Sequence, residues 1–86
     1  MPEISRFYGI VIKMFWNDHS PPHFHAEYSG RVAVVDIRTL AVFQGTLPPK
    51  ATSMVIEWAA LHQKELLEDW DLAQCLKPLN KVDPLQ

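Results

Sequence analysis

Twelve residues, NDHSPPHFHAEY from Asn17 to Tyr28, place His19, His23 and His25 around a Pro-Pro step, with carboxylates at Asp18 and Glu27. Imidazole exchanges a proton near neutral pH, and its neutral ring nitrogen binds transition metals. On an extended strand, alternate side chains share a face, so His23 and His25 stand together, roughly 6–7 Å apart along the chain. Two chemistries follow. In one, His23 and His25 converge on a zinc or nickel ion, and Asp36 on the neighbouring strand supplies a third ligand or orients a ring through its N–H. In the other, His23 and His25 act as general base and general acid, the pair that cleavage of an RNA phosphodiester requires. Arg6, Arg31 or Arg38 would then neutralise the phosphate. His19 and Asp18 are reserve ligands in the loop, and Glu27 extends the same polar surface. A histidine opposite an aspartate on an exposed sheet is also an ordinary cross-strand pair with no chemistry to do.

The elements that position these groups are readable from turn residues and periodicity. Residues 7–16, FYGIVIKMFW, are rich in β-branched and aromatic side chains and read as a first strand. Tyr8, Ile10, Ile12, Met14 and Trp16 form its apolar row. Residues 17–22 form a loop that Pro21 and Pro22 stiffen. Residues 23–28 and 31–37 read as a hairpin around Ser29-Gly30, because glycine supplies the positive φ of a two-residue turn. That register sets Tyr28 against Arg31, Ala26 against Ala33, His25 against Val34 and His23 against Asp36. Phe24, Ala26, Tyr28, Ala33, Val35 and Ile37 then share an apolar face, while His23, His25, Glu27, Val32, Val34 and Asp36 share the other. A slip by one residue would bury the polar set.

Residues 41–45 predict a fourth short strand, and a helix follows over 49–70, entered through Pro48-Pro49. Ala51, Val55, Trp58, His62 and Leu66 recur at helical spacing and mark its buried stripe. Ile56, Ala60 and Leu67 widen that stripe, which calls for cover by the C-terminal segment or by another molecule. His62 sits inside the stripe, as a locally bonded histidine or, if the helix covers the histidine face, as a further binding residue near His23 and His25. Trp16 and Trp58 read as core, and Glu65, Glu68, Asp69 and Asp71 as a solvated acidic face. The fold class is α+β: a four-stranded, mainly antiparallel meander followed by one long helix packed on one face.

With 86 residues the chain fits a single domain, residues 1–86, with a lead-in over 1–6 and an extended tail over 72–86. A net charge of −2 gives no basic footprint, so nucleic acid is not favoured as a partner by charge. The one cysteine, Cys75, excludes an internal disulfide and fits a reducing cytoplasm. No signal-peptide pattern opens the chain, and no apolar run is long enough to span a bilayer.

MPEISRFYGIVI, NDHSPPHFHAEY and EWAALHQKELLEDW together make the chain similar to a widespread bacterial family of small proteins, domain-of-unknown-function family 4160. The resemblance covers nearly the whole sequence, and the DHxPPHFH-like block is its most specific part. It implies a cytoplasmic component of a toxin–antitoxin-type two-gene module that works with a small partner protein encoded nearby; the wide helix stripe also fits a homo-oligomer. The family's hallmark histidines match His19, His23 and His25, and its helix motif includes His62. It brings no established catalytic residues.

Overall fold

The computed structural model describes residues 2–86. Five strands, β1 (Glu3–Phe7), β2 (Ile10–Lys13), β3 (His23–Tyr28), β4 (Arg31–Asp36) and β5 (Val42–Gly45), form one antiparallel meander in the order of the sequence. Two helices, α1 (Pro49–Leu61) and α2 (Gln63–Gln74), follow. The α+β class is as expected, with five strands in place of four and two helices in place of one.

The extra strand arises because residues 7–16 do not run straight. Tyr8 and Gly9 take φ values of 49° and 80°, the left-handed pair of a tight hairpin turn, and Phe7 pairs with Ile10. The expected lead-in is therefore the edge strand β1. Ile10, Ile12 and Met14 of the apolar row are buried, while Tyr8 and Trp16 at its ends are 61% and 44% exposed. Trp16 is thus not a core residue.

The β3–β4 hairpin has the predicted register throughout, from Tyr28 with Arg31 to His23 with Asp36. On β5 the pairing shifts so that Phe43 is an extra residue opposite β4. Gly45 closes this edge: its φ is +75°, and a Cβ there would run into the Val32 carbonyl.

The helices cover the Phe24–Val35 face. Trp58 is fully buried, with its ring centroid 5.4 Å from Phe7 and 5.7 Å from Phe24. Ala51, Val55, Ala59 and Leu66 pack into the same core. The helical stretch breaks at His62, where φ is −123°. Gln63 Nε2 donates to the Ile37 and Arg38 carbonyls and pins the start of α2 to the end of β4.

The C-terminal tail packs across the Trp58 and Asp69 side of the helices, while Ala60 of the widened stripe stays exposed. Leu79, Val82 and Leu85 join the core cluster, Val82 N–H donates to the Ile4 carbonyl at 2.8 Å, and the Trp58 indole donates to the Asp83 carbonyl at 2.7 Å. Asp69 departs from the expected solvated face: it is buried, and its Oδ1 accepts the Asn80 N–H at 2.9 Å. Burial pushes its carboxyl above the ordinary value of 3.8; the Asn80 N–H opposes this, and the charges of Glu65 and Glu68 reinforce it. No helix among the described residues is long and apolar enough to cross a membrane.

Candidate metal centre

β3 presents His23 and His25 to the face opposite the Phe24–Val35 core, which α2 reaches only at the His23 end. His25 lies in a cross-strand row between Lys13 and Val34, and its ring meets the Phe15 ring edge-on at 4.7 Å. The two imidazole centroids are 5.4 Å apart. His23 differs from His25 in being buried, because Trp70 of α2 and Phe43 of β5 close over its ring at 5.1 and 5.8 Å.

The loop over residues 17–22 adds the carboxylate. It is tied down along its length: Asn17 N–H donates to the Ala73 carbonyl, Gln74 Nε2 to the Asp18 carbonyl, and Ile37 N–H to the Pro22 carbonyl. Within it, Asp18 Oδ1 accepts the His19 N–H at 2.8 Å, and Asp18 Oδ2 stands 2.9 Å from His23 Nε2. His23 Nδ1 lies 2.7 Å from the Pro21 carbonyl. That carbonyl can only accept, so Nδ1 carries a proton. A neutral ring would then point a bare Nε2 lone pair at a carboxylate. A cation shared by the two groups satisfies that contact. A ring anchored at one nitrogen by a backbone carbonyl, with the other turned toward a ligand, is how metal-ligating histidines are commonly oriented.

His25 Nδ1 is buried and has no hydrogen-bond partner. Burial pushes the His25 pKa below its ordinary 6.5, and the nearby His23 adds to the effect against Asp18 and Glu27. The ring is therefore neutral at pH 7, the form that binds metal. Burial alone would raise the Asp18 carboxyl, but the His19 N–H and the two histidines outweigh it and hold the group below 3.8.

One ligand atom each from Asp18, His23 and His25 lies within 4.8 Å of the others, the one such cluster of three among the described residues. Zinc bonds of about 2.0–2.2 Å would set the atoms roughly 3.4 Å apart, so His23 Nε2 and Asp18 Oδ2 would part slightly from 2.9 Å, a small side-chain adjustment. The cluster opens into a cavity of about 240 Å³, also lined by His19, Val34, Phe43 and Gln44.

The other predicted residues are placed elsewhere. Asp36 pairs with His23 along the backbone, but its Oδ1 accepts the N–H groups of Arg38 and Thr39 and caps that turn. Asp18 stands where Asp36 was expected. Glu27 forms an ion pair with Lys13 at 3.0 Å. His62 lies at the break between the helices, with Nδ1 2.6 Å from Glu65 Oε1 and its ring against Trp58. Arg6 pairs with Glu3 on the far edge strand, Arg31 begins β4 at the hairpin turn, and Arg38 lines a separate cavity behind Pro21 and Trp70. Sequence reasoning missed Trp70 and the Pro21 carbonyl as partners of His23. Trp70 is 47 positions from His23 in the chain (70 − 23), and no local pattern reports such a contact.

A family model described as "Domain of unknown function (DUF4160)" matches residues 9–71. Comparison with curated proteins and with solved structures gives no match.

Proposed function

The chain belongs to the DUF4160 family, whose description assigns no reaction, and we propose its function from the site itself: it binds one divalent transition-metal ion, zinc or nickel, through Asp18, His23 and His25. The observation that carries this reading is the convergence of two imidazoles and a carboxylate, with one imidazole anchored by a backbone carbonyl and the other holding a buried nitrogen without a partner. Imidazole nitrogen suits zinc and nickel, and a carboxylate completes a common zinc donor set. Three protein ligands leave a fourth position available.

The test is metal retention. After loading and dialysis, the wild-type chain should hold one equivalent of zinc or nickel by atomic absorption. The His23→Ala/His25→Ala double variant should hold none while keeping the wild-type circular dichroism spectrum. Equal retention by both proteins, or none by the wild type, rejects the reading.

A second reading is a toxin–antitoxin-type module component in the cytoplasm that works with a small partner protein and cleaves RNA by His23–His25 acid–base catalysis. It is supported by a neutral His25 beside a His23 whose two nitrogens both face acceptors. The exposed Phe43 in the cavity wall would suit a protein contact. The weakness is electrostatic, because the cavity lining contains no lysine or arginine to take up a phosphate. Growth arrest on expression that is cured by His25→Ala, in a chain that retains no metal, would favour this second reading.

A further inference from the structure

We infer that His19 is the fourth, exchangeable ligand of the metal, closing the site with a side chain of this same chain. The inference rests on the metal reading of Asp18, His23 and His25. His19 lines the same cavity as those three residues. Its backbone is already part of the site, since its N–H holds Asp18 Oδ1 and so turns Oδ2 toward His23. Its side chain is exposed, and among the described residues its ring makes no hydrogen bond, so rotation toward the ion breaks nothing.

The competing donors in the cavity wall are weak. Ser20 and Gln44 offer a neutral hydroxyl and amide, and Pro21, Val34 and Phe43 offer no side-chain ligand. Imidazole outranks all of them for zinc, nickel or cobalt. Zinc sites with four protein ligands are closed, whereas those with three bind an external group. With His19 outside the three-ligand cluster in this conformation, the chain has an open state and a closed one, interconverted by one exposed side chain on a loop whose backbone is fixed at Asn17, Asp18 and Pro22. Such a site takes up and releases an ion without moving the sheet.

Cobalt(II) is the probe, read by its visible absorption, with wild type, His19→Ala and His62→Ala compared. His62 is an imidazole outside the cluster and serves as the control. The wild type should bind one equivalent with a four-coordinate spectrum that added imidazole does not change, and His62→Ala should match it. His19→Ala should bind more weakly by at least the roughly ten- to hundredfold that loss of a ligand's orienting partner costs, and its spectrum should shift toward the wild-type form as imidazole is added. Wild-type affinity and indifference to imidazole in His19→Ala overturn the role of His19 and leave the three-ligand site standing. Failure of the wild type to bind cobalt overturns the metal reading itself.

Discussion

On one face of the sheet, Phe24, Ala26, Val35 and Ile37 are sealed beneath α1; on the other, His25, Glu27, Val32 and Asp36 ride on the same two strands yet remain half-buried or exposed. The backbone is common to both, so the difference lies in what covers each face. The sealed face is fixed by volume: apolar side chains meet the Trp58 ring, and each is held by its neighbours. The open face is fixed by polar bonds, such as Lys13 to Glu27 and Asp36 to its own turn. Only around His23 do the two regimes meet, where Trp70 and Phe43 supply apolar cover for a ring whose nitrogens are both engaged. Burial and ligating capacity coincide there, and the neighbouring His25 shares them through its buried Nδ1.

The strongest way to break this contrast is Trp58→Ala. Removing the ring that joins Phe7, Phe24 and the tail should cost about 3–5 kcal/mol, enough to leave so small a domain marginal. Urea denaturation followed by circular dichroism would measure it, and a loss below about 1 kcal/mol would mean that the sealed face is not what holds the fold. A sharper version uses two valines of one strand. Val35→Ala, on the sealed face, should cost roughly 2 kcal/mol from two lost methyl groups and the cavity left behind. Val32→Ala, 42% exposed on the open face, should stay within about 0.5 kcal/mol. Equal shifts in the urea midpoint would contradict the assignment of the faces.

The smallest effect is a pair of opposite pH dependences, one beneath the tail and one at the site. The Asp69 carboxyl is raised in the folded chain, so the folded state holds its proton more tightly than the unfolded one. Its contribution is complete below 3.8 and is lost as pH rises through the raised value. Asp18 is lowered, so its contribution is present above 3.8 and is lost as pH falls through the lowered value. Asp69→Asn should flatten the stability profile above 3.8, and Asp18→Asn should flatten it below. Urea midpoints between about pH 3 and about pH 6 would separate the two. A variant that changes the wrong limb would refute the corresponding environment.

The hairpin was legible down to its register because Ser29-Gly30 and the alternation of Phe24, Ala26, Ala33 and Val35 agree on one pairing. The break at Tyr8-Gly9 had a signal in the glycine, but the apolar run around it imitates a continuous strand. The break at His62 had none: Leu61, His62 and Gln63 include neither glycine nor proline, and the kink is held by long-range bonds from Gln63 to the Ile37 and Arg38 carbonyls just past β4. At the site, the strand period placed His23 and His25 on one face. The choice of Asp18 over Asp36 lay beyond reach, because it depends on how a non-repetitive loop folds against α2. Asp69 was misplaced for the same reason, since the tail that buries it arrives from outside any local pattern.

The tail has one more consequence. The indoles of Trp58 and Trp16 both donate to carbonyls of the last ten residues, at Asp83 and Lys77. Peeling that segment away would unpair both rings, wet the deeper one and release the Ile4 carbonyl of β1 from Val82. Intrinsic fluorescence would therefore report any detachment of the strap, giving the molecule a built-in optical gauge of its own closure.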